Sequence, residues 1–337
     1  MDSDPIDQDD IMKGKLPVNF APCHIDKKRK KIVLDLGNSL PTEKPGKGLK
    51  DVGELQLALL SSMLHPTKFG KIDYQQDNWY EKTAGIQEFD FSDQQLQDIE
   101  KTPLALLKVG AGNQPHDITP LLCENDQGAY IRADQFVFRL DPYQPDEEKY
   151  CLYPQQAKVK ILATRFGKPS AGEIVNLTVN VSDANALKFS SMAVTDSDGW
   201  ATFILHAFDP GTPRDYIDGQ VYKLSYSWAP MKEDKGYHAD PSNFISVRVS
   251  SVYIPKHKPT SPKSWKDDIY PVLAQYAKLY PIMADLKLSD ENKVKQRAQM
   301  INDAMMLDIL DPGYMPVVRD LSNSKLEMII KWLDERD

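Results

Sequence analysis

The spacing of apolar residues changes once along this chain, and that change limits the possible folds more than any other feature. From Lys31 to Ile254 apolar residues recur at every second position, as in strands buried on one face. Beyond Trp265 they recur at every third and fourth position, as in helices with one apolar stripe. The segment IPKHKPTSPKS separates the two regimes, with three prolines and three lysines in eleven residues. Such a composition predicts an extended, exposed linker.

Within the period-two region, the spacing predicts strands in IVLDLGNSLP, GELQLALLSS, TPLALLKVG and AYIRADQFVFRLDP. SDQQLQDIEK between them predicts a short helix capped by Ser92. A second set of strands begins near Gln156. AKVKILATRFGKPSAGEIVNLTVNVS reads as two strands around Gly167-Lys168-Pro169, and QVYKLSYSW turns Tyr222, Leu224, Tyr226 and Trp228 to one side. Short strands separated by frequent turn signals favour antiparallel sandwiches. The fold class expected is mainly β with a C-terminal α part: two antiparallel β-sandwich domains, then a small three-helix segment. The boundaries expected are an acidic flexible tail at 1–25, a first sandwich at 26–150, a second at 151–254, the Pro/Lys linker at 255–264 and helices at 265–337. In the last part, Pro281 should break a helix, Ser289-Asp290-Glu291 should start one, and Ser324 with Glu327 should form a capping box.

Composition narrows the function classes. The 337 residues carry a formal net charge of -8, which argues against nucleic acid and anionic membrane surfaces as partners. No run of apolar residues is long enough to span a bilayer. Three widely spaced cysteines are no disulfide framework. With no signal sequence at MDSDPIDQDD, a reducing, cytoplasmic location is the expectation.

Few residues offer chemistry. Asp196 and Asp198 beside Gly199 have the look of a calcium loop, but Trp200 and Ala207 stand where that loop needs oxygen ligands. A tight hairpin turn, with Ala201, Phe203, Leu205 and Ala207 facing inward after it, fits better. The basic run Lys27 to Lys31 reads as a charged strand entrance. No His pair has metal-ligand spacing, and Cys23-His24 has no neighbour to complete a site. We therefore assign no catalytic, cofactor-binding or metal-binding residue. The richest polar loop is DPGTPRDYIDG, where Arg214, Asp215 and Asp218 are candidates for contacting a ligand or partner. The alternative is that its aspartates satisfy their own backbone.

Two resemblances add to this reading. GKPSAG (Gly167 to Gly172), followed by V-x-L and later by TDSDGWATF, resembles bacterial immunoglobulin-like domains of the invasin type. That implies an immunoglobulin-like second sandwich and supplies no catalytic residue. KIVLDLGNSLPTEKPG with GELQLALL, and later IYPVLAQYAKLYPIMADLKLSDE with DPGYMPVVRDLSNSKLEMIIKWL, are similar to the region preceding the ferritin-like domain of iminophenyl-pyruvate dimer synthases of violacein-type pathways. In that family the iron ligands lie in the ferritin-like domain, so none carries over to this chain.

Three readings of function stay open on the sequence. A non-catalytic scaffold would contact a protein partner or an adjoining catalytic domain, possibly a ferritin-like one. An enzyme would need a dispersed carboxylate site between the sandwiches. An adhesive module would bind carbohydrate or protein through its loops.

Overall fold

The computed structural model describes residues 18, 20–43, 48–61, 66–110, 118–179, 185–211, 218–228, 244–254, 264–280 and 285–335. The protein is mainly β with helices toward its C-terminal end. Two antiparallel sheets enclose the first core. One has the order β1 (Cys23–Asp26), β2 (Lys31–Asp35) and, after two later strands, β5 (Ile86–Asp90). The other runs β4 (Thr67–Lys71), β3 (Glu54–Leu59), β6 (Leu104–Val109), β7 (Ile118–Cys123). Leu55, Leu57 and Leu59 share one face of β3, as their spacing predicts, and meet Ile32 and Leu34 of β2 and Phe89 of β5. Two short helices flank this unit, α1 (Trp79–Thr83) and α2 (Asp93–Ile99). Ser92 caps α2 in a full capping box with Gln95.

The run Lys27 to Lys31 forms the turn of the β1–β2 hairpin and the first residue of β2. Its cations meet nearby acids: Lys27 with Glu100, Arg29 with Asp26 and Glu88, Lys30 with Asp93, Lys31 with Asp90. Water screens these surface pairs, so they add little to stability. β1 begins at Cys23, inside the stretch read as a tail.

The second unit has an immunoglobulin-like build, two sheets stacked face to face. Its strands are β8 (Ala129–Ala133), β9 (Val137–Leu140), β10 (Gln156–Arg165), β11 (Lys168–Pro169), β12 (Ile174–Val179), β13 (Leu187–Lys188), β14 (Met192–Val194), β15 (Trp200–Ala207), β16 (Gln220–Trp228) and β17 (Ile245–Val249). One sheet orders β11-β10-β15-β13 with β8 also on β10, and the other orders β14-β12-β16-β17-β9. All pairs are antiparallel except β17 with β9. Val159, Ile161, Phe203 and Leu205 from the first sheet pack on Leu177, Leu224, Trp228 and Val247 from the second. The inward face of Ala201, Phe203, Leu205 and Ala207 is as the alternation predicts.

Two expectations are corrected here. AYIRADQFVFRLDP, assigned by sequence order to the first sandwich, supplies β8 and β9 to the second. Ala129, Ile131, Phe138 and Leu140 alternate correctly for either core, so only pairing with β10 and β17 decides their place. The Asp196–Gly199 turn, expected as a hairpin, joins strands in different sheets. β14 pairs β12 and β15 pairs β10, so the chain arches between layers. The Asp196 carboxylate accepts from the N–H groups of Asp198 (3.0 Å) and Trp200 (2.9 Å). Gly199 is required twice over: its φ is +79°, and a Cβ there would lie 2.7 Å from the Ala163 carbonyl oxygen.

The helical unit contains a π-turn at Trp265–Ile269, then α3 (Tyr270–Leu279), α4 (Glu291–Gln296), α5 (Ala298–Met305) and α6 (Asn323–Asp334). It is more broken than a three-helix segment. α3 ends at Leu279, before Pro281. Asp290 caps α4 from within the predicted start. The cap of α6 is Ser322, so the expected Ser324–Glu327 box is displaced inside the helix. Those two side chains are buried and bond to other segments instead. α6 is buried on nearly every side, and its apolar residues join Tyr150, Ile269 and Leu273 in a third core.

Candidate functional site

Of the three predicted loop residues, Asp218 is described, while Arg214 and Asp215 lie outside the described residues. Among the described residues, Asp218 bonds to segments outside its own loop. Its carboxylate pairs with Lys325 of α6, and its carbonyl oxygen accepts from Arg248 Nη2 at 2.9 Å. Gly219 lets this happen. Its φ is +93°, and a Cβ there would lie 2.1 Å from the Val249 carbonyl oxygen, so any other residue would push Asp218 away from β17.

Asp218 belongs to a larger polar junction between the second sandwich and α6. Arg248 Nη2 also donates to the Asp320 carbonyl oxygen at 2.8 Å, just before α6. The Asp320 carboxylate accepts from the Tyr276 hydroxyl at 2.9 Å. Burial, reinforced by that carboxylate, drives the Tyr276 phenol far above its ordinary range. Lys325 is nearly buried and lies over the Tyr253 ring.

Asn323, the first residue of α6, is fully buried and heavily bonded. Its Oδ1 accepts from the N–H groups of Leu152 (2.9 Å) and Tyr153 (3.0 Å). Its Nδ2 donates to the carbonyl oxygens of Tyr143 (3.2 Å) and Tyr153 (2.8 Å). Its backbone N–H donates to Asp141 Oδ2 at 2.8 Å. One side chain thus binds the 141–153 segment to the start of the helix. Tyr143 adds a further tie, its hydroxyl donating to Glu327 Oε2 at 2.6 Å, and Lys331 pairs with the same carboxylate. Burial and the Glu327 charge hold the Tyr143 phenol well above its ordinary range.

Arg319 closes the far side. Its guanidinium donates to the carbonyl oxygens of Ile309 (2.6 Å), Val317 (2.8 Å) and Asp311 (3.0 Å), pinning the loop before α6. Its own carbonyl oxygen accepts from the Tyr153 hydroxyl at 2.6 Å. Burial pushes that phenol up to about 12. Three buried polar atoms in this region have no well-aligned partner: Arg248 Nη1, Ser250 Oγ and Tyr314 OH.

Sequence reasoning reached Asp218, as a ligand candidate, and Glu327, as half of a capping box that does not form. Asp141, Arg248 and Asn323 carry no spacing signal, since their partners are distant along the chain. Asp141, Asp218, Asp320 and Glu327 gather between the second sandwich and the helices. Where the sandwiches meet, Lys168 pairs with Glu100, which also takes Lys27. Among the described residues, no group of three or more His, Cys, Asp or Glu side chains is placed to hold a metal ion. Nor is any helix there long and apolar enough to cross a membrane.

No known protein family matches the chain, and no curated protein does. Some solved structures are similar to it. The D00-D0 domain of Intimin aligns at 11% identity over 66% of this chain and 92% of its own, with a TM-score of 0.25. The D0-D1 domain of Intimin aligns at 12% identity over 69% and 98%, with a TM-score of 0.24. A two-domain protein of unknown function from Bacteroides fragilis aligns at 12% identity over 38% of this chain and 47% of its own, with a TM-score of 0.25. This chain therefore spans about half the length of the Bacteroides protein. Superpositions this loose carry no assignment, and the fold class rests on the strand pairing described above.

Proposed function

We propose that this chain is a non-catalytic scaffold that presents a partner-binding surface. One observation carries the reading: the charged groups gathered at the junction are spent on holding the protein together. Asp141 holds the first N–H of α6, Asp218 holds Lys325, Asp320 holds Tyr276, and Glu327 holds Tyr143 and Lys331. A general acid or base must be within hydrogen-bond reach of a substrate proton, and these carboxylates are already engaged within the chain.

The partner we infer is a protein or an adjoining catalytic domain, and a ferritin-like one is the specific candidate. That choice rests on the resemblance of the segments around Leu34 and Tyr276 to the region that precedes such a domain. Co-expression of the full chain with the ferritin-like domain of an iminophenyl-pyruvate dimer synthase tests the reading. Stoichiometric co-elution that survives 0.5 M salt (about three times physiological ionic strength) is the expected result. Failure to associate across a range of salt and pH would rule out that partner. Binding to a glycan array instead would favour the adhesive reading.

A further inference from the structure

We propose that the attachment of α6 to the second sandwich is a latch that tightens on taking up a proton, with Asp141 as the proton-accepting group. Asp141 follows β9 directly and is completely buried. Its two carboxyl oxygens serve two parts of the molecule. Oδ1 accepts from the Tyr143 N–H at 2.9 Å within its own segment, and Oδ2 accepts from the Asn323 N–H at 2.8 Å, the first residue of α6. The Ser250 hydroxyl, at the exit of β17, lies beside the same carboxyl without a well-aligned hydrogen bond. Three segments therefore meet at one carboxyl group.

The groups facing it leave its charge poorly compensated. From β17 comes Arg248, whose Nη2 is committed to the carbonyl oxygens of Asp218 and Asp320. α6 adds the Asn323 N–H, while its charged groups are paired elsewhere, Lys325 with Asp218 and Glu327 with Lys331. From its own segment come Tyr143 and the Cys151 thiol, which burial and the Asp141 charge push up. Asp141 makes no ion pair with any of these cations within salt-bridge distance among the described residues. Burial is accordingly the largest influence on Asp141 and raises its carboxyl from 3.8 to about 6, against the opposing pull of its N–H donors, Ser250 and Arg248.

The direction follows from linkage. The folded chain takes up a proton at Asp141 at higher pH than the unfolded chain does. The stabilisation is fully present below about pH 4 and is lost as pH rises through about 6. A proton on Oδ1 can be donated to Ser250 Oγ, which lacks a well-aligned partner, in exchange for a weaker Tyr143 N–H bond, while Oδ2 still accepts the Asn323 N–H that ties α6. The latch stands independently of the scaffold reading, because it concerns only how the chain holds itself.

Native-state hydrogen exchange of the full chain tests it. After correction for intrinsic rates, protection of the amides at the start of α6 should fall about tenfold between pH 5 and pH 7.5. In Asp141→Asn that fall should vanish while β3 and β6 of the first sandwich are unaffected. Protection that is flat or rises with pH in the wild type, or a slope that persists in Asp141→Asn, would overturn the proposal. Should that variant fail to fold, a carbon-13 titration of the Asp141 carboxyl in the wild type decides. A midpoint within a unit of 6 supports the latch, and one at or below the ordinary carboxylate value of about 4 sinks it.

Discussion

Asn323 shows how much one buried amide can hold. It satisfies two N–H donors and two carbonyl acceptors from a segment 170 or more positions away. Truncation leaves those backbone groups buried and unpaired, and each unsatisfied group costs on the order of 1–3 kcal/mol. Relaxation and water entry recover part of this. Asn323→Ala should therefore lower stability by about 3 kcal/mol in urea unfolding, with little change in slope. A loss below ~1 kcal/mol would mean the 141–153 segment is anchored elsewhere. Asn323→Asp is a sharper variant, because a carboxylate keeps the acceptor and loses both donors. It would also place a second buried acid beside Asp141, so its penalty should exceed that of alanine above pH 6 and shrink below it.

Among the elements, α2 and α6 give a contrast in what ends a helix. α2 carries its whole N-terminal signal locally: Ser92 accepts from the Gln95 N–H, and Gln95 Oε1 accepts in return from the Ser92 N–H. Ser92→Ala should cost about 1 kcal/mol, read as a matching fall in the denaturation free energy of the first sandwich. An unchanged free energy would show that packing of Ile99 alone holds α2. In α6 the local cap, Ser322 to the Lys325 N–H, is supplemented by Asp141 from the sandwich. Ser and Asn occur at 322, 323 and 324, so local spacing allows several starts. The sandwich selects Asn323 as the first helical residue by supplying an acceptor for its N–H.

For the whole molecule, the junction makes the second sandwich and the helical unit interdependent. β17 and α6 share Arg248, Asp218, Lys325 and the ties through Asp141. Interdependent elements should open together. In hydrogen exchange under rising denaturant, amides of β17 and α6 should lose protection at a common concentration in the wild type. Asn323→Ala should separate them, with α6 opening first. Early opening of α6 in the unmodified chain would show that the junction does not couple the two units.

What the sequence determined by itself has its cause within a few residues. The change of period gave strands before Ile254 and helices after Trp265, because burial on one face of a strand or helix repeats every two or every three to four residues. Ser92 and the Asp196-Gly199 turn were legible because the bonded atoms are neighbours in the chain. The tertiary structure alone decided which core received β8 and β9, that Asp196 to Gly199 arches between sheets, and that Asp218 reaches α6. It alone assembled Asp141 with Asn323, 182 positions apart. An alternating strand suits any apolar layer, and a buried carboxylate any aligned N–H. Long-range packing chooses between such equivalent partners, and no local spacing records that choice.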